Sequence, residues 1–185
     1  MSMRHGADTA PVPPEWRGHP RLSPTSIYGL SSLNYSLTGL LILLLLRQRP
    51  ERSFYALEKA EACLWIWQGI ISFKCDALDL GVDSWSHPAD RVSATLFILQ
   101  QTLKFCFVSC EGSLGRPLLY AMYAGLAAGG WCFHCSSVAC RNRLQEAYRF
   151  WHIAWHLAFP VTMALFHLAV YHAPAHAVHC VISGL

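Results

Sequence analysis

Two histidines one helical turn apart give this sequence its clearest capacity for chemistry. His152 and His156 lie in the segment Trp151-His-Ile-Ala-Trp-His156, and their spacing brings both side chains to one face of a helix. Both imidazoles can then reach a single ion about 2 Å from each nitrogen. The pair, together with a third histidine and an aspartate at a compatible depth, favours a metal site over the alternative that each histidine donates to a backbone carbonyl of a neighbouring helix. It does not fit the HExxH metalloproteases, because no glutamate follows the first histidine.

A stripe of polar residues lies earlier in the chain. Glu61, Gln68, Ser72 and Asp76 are separated by seven, four and four residues, which places all four on one helical face. Ionisable side chains within a bilayer are costly unless they are paired or face a wet interior. We therefore predict that this face points into the centre of a helix bundle.

The elements that carry these residues are predicted to be membrane-spanning helices. Hydrophobic residues make up 54% of the 185 residues and charged residues only 14%, against about a quarter charged in soluble domains. The sequence thus predicts an all-α, polytopic transmembrane helix bundle of about five spans at residues 27–171. A polar, proline-rich segment (1–26) precedes it and a short tail (172–185) follows. The five spans are predicted at about residues 27–46, 54–75, 87–110, 118–133 and 148–171.

Five spans bring the polar residues into layers. The end of the second span and the starts of the third and fifth would lie on one side of the membrane, which puts five residues in one layer: Ser72, Asp76, His87, His152 and His156. Glu61 and Lys104 would lie roughly 22 Å below this layer at 1.5 Å per residue. We predict that these two pair, because either charge alone would be costly there.

These residues resemble the CREST superfamily of membrane hydrolases and receptors, which includes alkaline ceramidases, progestin and adipoQ receptors, and relatives in GPI-anchor lipid remodelling. The family carries a serine with a histidine four residues later, an aspartate early in its third helix, and HxxxH in its last. The serine-histidine motif corresponds to Ser72-Phe-Lys-Cys-Asp76, which has aspartate in place of the histidine. His87 stands about where the family has its aspartate. The last motif matches His152-Ile-Ala-Trp-His156.

The resemblance implies a zinc-dependent hydrolase that acts on a lipid amide or ester bond. It implies that His87, His152 and His156 ligate Zn²⁺, whose bound water would have a pKa lowered towards 7. Asp76 or Asp90 would orient or deprotonate that water, and Ser72 would stabilise the developing oxyanion. We expect a location in an endomembrane, the ER or Golgi, or in another organelle membrane.

Other functions remain open on the sequence. The chain can be a non-enzymatic receptor or an accessory subunit that packs against membrane protein partners, with structural histidines. A proton or ion pathway along the polar stripe is a third hypothesis. Most of the eight cysteines are expected to be buried thiols, and Cys132-Phe-His-Cys135 is a weaker candidate for zinc or redox chemistry. The net charge of +3 is scattered, which argues against a nucleic-acid partner.

Overall fold

The regular elements of the chain are helices. A computed structural model describes residues 23–48, 55–80, 82, 84–110 and 116–172, and within these ranges the predicted all-α class is confirmed. The helices are α1 (Ile27–Ser31), α2 (Leu33–Arg47), α3 (Tyr55–Phe73), α4 (Ser86–Cys110), α5 (Arg116–Arg141) and α6 (Gln145–His172). One π-helical turn, Lys74–Leu78, extends α3. The predicted tail and most of the predicted N-terminal segment lie outside the described residues.

Two helical segments in the described ranges are long and apolar enough to cross a membrane. They are Ile27–Arg47, with a mean hydropathy of 1.7, and Gln145–Tyr171, with a mean hydropathy of 1.6. They correspond to the first and fifth predicted spans. Helix α4 is less apolar because it carries five charged or amide side chains: Asp90, Arg91, Gln100, Gln101 and Lys104.

The helices pack in a row whose ends approach each other. Helix α2 packs on α3 and α6, α5 packs on α6, and α4 packs on α3. The order across the bundle is therefore α4, α3, α2, α6, α5. Helices α4 and α5 stand at the two ends of this row and face each other across a cavity. The row thus leaves its central space open between these two helices.

An aromatic cluster fixes the middle of the row. Trp65 on α3 is fully buried and stacks on Phe159 of α6, with ring centroids 5.6 Å apart. Phe97 of α4 meets the edge of Trp65 at 4.4 Å, and Tyr35 of α2 stacks on it at 5.9 Å. One tryptophan therefore joins four helices directly below the polar layer.

The helix boundaries differ from prediction at three places. The first span is divided at Ser32 into α1 and α2, and α5 continues to Arg141, beyond its predicted end at residue 133. The π-helical turn at the end of α3 was not predicted. Such turns widen a helix locally and are frequent at functional sites. Here the turn carries Asp76.

Candidate metal centre

The predicted site residues line one cavity. Its volume is about 970 Å³, and its wall is built from α3 with the π-helical turn, α4, α5 and α6, together with Tyr35 of α2. All six residues predicted to form the site contribute to this wall: Ser72, Asp76, His87, Asp90, His152 and His156. Residues separated by up to 84 positions in the chain therefore line the same cavity, as their predicted positions in one layer of the bundle suggest.

Three of these residues converge at one point. Asp76, His152 and His156 each offer one ligand atom, and these atoms all lie within 4.8 Å of one another. Asp76 Oδ2 is 3.2 Å from Nε2 of His152 and 3.7 Å from Nε2 of His156. The two imidazole centroids are 4.3 Å apart. The aspartate and His156 are buried, and His152 is largely so.

These separations fit a metal ion. Zinc bonds to histidine nitrogen and carboxylate oxygen are about 2.0 to 2.2 Å, so tetrahedral ligands lie roughly 3.4 Å from each other. The two oxygen-to-nitrogen distances of 3.2 and 3.7 Å bracket this value. A buried group of two histidines and one aspartate can therefore hold a metal ion without large rearrangement. The geometry does not select zinc from other divalent metals that prefer imidazole and carboxylate ligands.

The hydrogen bonds around His156 leave its Nε2 available to a cation. Its Nδ1 lies 3.2 Å from the hydroxyl of Ser31 and 3.3 Å from that of Ser32. Both hydroxyl protons are used elsewhere, because Ser31 donates to the Tyr28 carbonyl at 2.7 Å and Ser32 donates to Asp76 Oδ2 at 2.8 Å. Nδ1 must then be the donor to the serine oxygens.

This assignment leaves a lone pair on His156 Nε2 when the ring is neutral. That lone pair faces the Asp76 carboxylate at 3.7 Å. Two buried acceptors facing each other are unfavourable unless a proton or a metal ion lies between them. Metal-bound histidines usually donate their other ring N–H to a neighbouring acceptor, which is the pattern seen here.

His152 is held by a hydroxyl group and by two tyrosine rings. Its Nδ1 lies 3.4 Å from the hydroxyl of Ser136 on α5. Tyr28 stacks on the ring at 5.2 Å, and Tyr148 packs against it at 5.1 Å. The two tyrosine hydroxyls are joined by a hydrogen bond of 3.1 Å. These contacts fix the ring plane, so Nε2 stays directed at Asp76.

A second carboxylate lies beside the group of three. Asp90 of α4 accepts a hydrogen bond of 2.9 Å from the Gln68 amide, and Ser93 donates to the oxygen of that amide. The Ser72 hydroxyl is hydrogen-bonded to Asp90 and lies 3.5 Å from Asp76 Oδ2. Ser72 therefore stands between the two carboxylates, and Asp90 lines the cavity without being one of the three converging residues.

His87 occupies a different position from the other two histidines. Its Nδ1 is 2.9 Å from the Cys75 sulfur, and its Nε2 lies 2.9 Å from the Val82 carbonyl oxygen and 3.2 Å from that of Asp79. These contacts tie the beginning of α4 to the π-helical turn. The convergent set therefore contains Asp76 where the sequence predicts His87, because the ring nitrogens of His87 are directed at Cys75 and at carbonyl groups of the connection between α3 and α4.

The connection between α3 and α4 is held by Asp79. Lys74 donates to it at 2.8 Å, and the hydroxyls of Ser84 and Ser86 donate to Oδ2. Burial raises the pKa of the Asp79 carboxyl, but the hydrogen bonds from Lys74, Ser84 and Ser86 outweigh it and lower the pKa to about 2. Asp79 is therefore an ionised structural anchor close to the site.

The predicted deep ion pair is confirmed. Lys104 Nζ lies 2.7 Å from Glu61 Oε2. The other carboxylate oxygen accepts from the Gln101 amide at 3.0 Å and lies 3.2 Å from Nε2 of His167. This cluster joins α3, α4 and α6 and is separate from the candidate metal centre.

Several residues around the site were not predicted, among them Tyr28, Ser31, Ser32, Ser136 and Tyr148. Ser31 and Ser32 stand out only as a polar pair inside an apolar span, and that signal was available in the sequence. Ser136 lies beyond the predicted end of its span, so a longer α5 was needed to find it.

Comparisons with known proteins add no constraint. No family model matches the chain, and neither a curated protein nor a solved structure gives a significant match.

Proposed function

We propose that this chain is a metal-dependent, multi-pass membrane hydrolase that acts on an amide or ester bond of a lipid. We also propose that it is a divergent relative of the CREST superfamily. The observation that carries the proposal is the convergence of Asp76, His152 and His156 at the wall of a large cavity. Zinc is the metal proposed. Its ligands are these three residues, which resemble the two-histidine, one-carboxylate sets of zinc hydrolases.

The surface of the bundle supports five membrane crossings. Large apolar side chains are exposed on α3 and α4 as well as on the two most apolar helices: Leu64, Trp67, Ile70, Val92, Leu96, Leu99 and Leu103. On α3 and α4 the polar side chains are buried instead: Glu61, Gln68, Ser72 and Gln101. Polar interiors with apolar surfaces are expected where the solvent is lipid. We therefore propose that the chain is an integral membrane protein. The ER or Golgi is the compartment we propose for it.

The residues near the metal ligands supply the remaining functions. When bound, zinc supplies Lewis acidity and an activated water near neutral pH. Asp90 takes the proton that the attacking water loses and returns it to the leaving oxygen or nitrogen. Ser72 donates a hydrogen bond to the carbonyl oxygen as negative charge develops there. The water oxygen bonds to the acyl carbon, the bond to the alcohol or amine breaks, and a carboxylic acid is released.

Metal analysis of the purified protein tests this proposal. We expect about one zinc per chain by inductively coupled plasma mass spectrometry, and loss of that zinc in Asp76→Ala, His152→Ala and His156→Ala, because each removes one ligand. His134→Ala is the matched control, since His134 contacts Trp131 on α5 and does not line the cavity.

His87→Ala distinguishes two ligand sets. The proposed set of Asp76, His152 and His156 predicts that His87→Ala keeps its zinc, whereas a three-histidine set predicts loss. Equal metal content in the wild type and in all three ligand variants would reject the site. Stoichiometric iron in place of zinc would assign the site to the two-histidine, one-carboxylate iron centres.

A non-enzymatic role is the second candidate function. It is favoured by the hydrogen-bond partners that His87 and His152 already have at both ring nitrogens. It is also favoured by three exposed tryptophans, Trp67, Trp85 and Trp131, which suit contact with a membrane protein partner or with lipid headgroups. Hydrolysis assays on a panel of acyl lipids decide between the two. Metal-loaded protein that releases no fatty acid and co-purifies with a fixed partner would establish the non-enzymatic role.

A further inference from the structure

The cavity has a basic end that the proposed chemistry does not use. Arg91 at the beginning of α4, Arg141 at the end of α5 and Arg143 in the turn before α6 all contribute to its wall. All three are exposed. Within the described ranges, neither Arg141 nor Arg143 forms an ion pair with a carboxylate. Two guanidinium groups thus stand at the entrance of a space that contains the candidate metal centre.

Arg143 holds an unusual backbone position. Its φ is 58°, in the left-handed region, where glycine is the usual residue after a helix end. The turn is closed by hydrogen bonds from Arg143 N to the Cys140 carbonyl and from Leu144 N to the Ala139 carbonyl, at 3.1 and 2.9 Å. A non-glycine residue is costly at such a position, and residues of this kind cluster at functional sites. The tight turn keeps Arg141 and Arg143 at one end of the cavity.

We propose that Arg141 and Arg143 bind the phosphate of a lipid headgroup, so that the substrate class of the cavity is an acyl lipid that carries a phosphate. This inference rests on the proposed function for the reaction itself. Guanidinium groups bind phosphate oxygens through paired, charge-assisted hydrogen bonds, which makes arginine the preferred residue for this group.

The distance to the metal centre suits such a lipid. Helix α6 begins at Gln145, and His152 lies seven residues later, about 10 Å deeper at 1.5 Å per residue. An arginine side chain that reaches inward shortens this separation. A phosphate at the entrance and an acyl bond near Asp76 are therefore separated by a distance that a glycerol backbone can span.

The rest of the cavity favours a lipid over a free phosphate ion. Its wall between α4 and α5 contains Ile98, Leu126 and Phe133. These side chains offer an apolar surface for an acyl chain, and a phosphate ion would leave them in contact with water. The cavity volume of about 970 Å³ is at the upper end of ligand pockets.

A binding assay without metal tests the proposal. We suggest scintillation proximity with tritiated dioctanoyl phosphatidic acid on purified protein in a neutral detergent with EDTA, with unlabelled dioctanoyl glycerol and inorganic phosphate as competitors. We expect saturable binding. Dioctanoyl glycerol should compete with an affinity at least about tenfold lower than that of unlabelled phosphatidic acid, because one charged hydrogen bond accounts for a factor of that size. Inorganic phosphate at millimolar concentration should not compete.

Arginine variants locate the phosphate. Arg141→Gln/Arg143→Gln should lower the affinity for phosphatidic acid about tenfold or more and leave that for dioctanoyl glycerol unchanged. Arg141→Lys/Arg143→Lys keeps the charge but loses the paired hydrogen bonds of the guanidinium groups, so its affinity for phosphatidic acid should lie between that of the wild type and that of the glutamine variant. Arg149→Gln is the matched control, because Arg149 lies on the same side of the bundle, pairs with Glu146 and does not line the cavity.

Any of four results would overturn the proposal. The first two are the absence of saturable binding and equal competition by the phosphate-free lipid. The other two are an equal loss of affinity for both lipids in the glutamine variant, and full competition by inorganic phosphate, which would indicate a soluble phosphate ligand. The assay does not depend on metal or turnover. A failed metal analysis would therefore leave the lipid result standing, and a failed lipid assay would leave the metal centre standing.

Discussion

Ser32 connects two of the proposed metal ligands. Its hydroxyl donates to Asp76 at 2.8 Å and lies 3.3 Å from His156 Nδ1, from which it accepts a hydrogen bond. One small side chain thus sets the orientation of a carboxylate and the tautomer of an imidazole. Ser32 is fully buried, so no water can replace its hydroxyl without a local rearrangement.

We predict that Ser32→Ala weakens metal binding. Loss of a hydrogen-bonding partner behind a metal ligand typically lowers metal affinity about 10- to 100-fold. Competition with a chelator of known zinc affinity measures the change. Ser36→Ala is the control, because Ser36 lies one turn further along and bonds to the Ile66 carbonyl. Equal zinc affinity in wild type and Ser32→Ala would contradict the proposed role of this hydroxyl.

For single residues, the sequence predicted which side chains could bind a metal better than it predicted the hydrogen-bond partners of each side chain. The HxxxH spacing predicted the proximity of His152 and His156, which the structure confirms. The sequence placed Asp76 in the same layer but assigned the third ligand position to His87. Asp76 lies in the π-helical turn, which no residue pattern in the segment indicates. Hydroxyl partners such as Ser32 come from a different helix, and a helical pattern carries no information about such contacts.

Glycine residues determine how closely α2 and α3 approach. A Cβ atom added at Gly39 of α2 would lie 2.5 Å from the Ala62 carbonyl oxygen and 2.9 Å from Ile66 N, both on α3. Backbone atoms cannot move away as a side chain can, so the helices would have to separate. Small residues at such contacts are a common feature of membrane helix pairs.

Gly39→Ala should therefore lower stability, and Gly130→Ala should not. A Cβ atom at Gly130 of α5 meets nothing within 4 Å, and alanine is favoured over glycine in a helix by about 1 kcal/mol. The melting temperature in detergent should fall for Gly39→Ala and stay constant or rise for Gly130→Ala. A Gly39→Ala protein as stable as the wild type would show that α2 and α3 lie further apart than the distances at Gly39 indicate.

Element boundaries were predictable where hydropathy changes sharply. The start of α4 at Ser86 lies within one residue of the predicted start, since His87 and Pro88 follow a polar turn. The end of α5 was missed by eight residues because His134, Ser136 and Ser137 lower hydropathy without interrupting the helix. The division of the first span at Ser32 depends on packing against α6 and the π-helical turn.

The distribution of apolar surface gives a prediction for the whole molecule. Five crossings place the N-terminus and the C-terminus on opposite sides of the membrane, whereas crossings by the two most apolar segments alone place them on the same side. Glycosylation-site tags fused to each end distinguish these arrangements in microsomes. We expect one of the two tags to be glycosylated and the other to remain unmodified.

Matched tags that are both glycosylated, or both unmodified, would reject the five-span arrangement. The control is a fusion at residue 50, between α2 and α3, which should take the state opposite to the N-terminal tag in either arrangement. The positive-inside rule does not predict the orientation, because arginines lie on both sides of the five-span bundle.

The ion pair between Glu61 and Lys104 has a consequence for how the chain is made. In a chain that crosses the bilayer with α3 and α4, Lys104 would enter the lipid unneutralised if α4 left the translocon alone. Glu61 emerges from the ribosome 43 residues earlier, so its carboxylate is already in place when the lysine arrives. Biogenesis then requires α3 to be retained beside the exit site until α4 joins it, and the two helices enter the membrane as a hairpin.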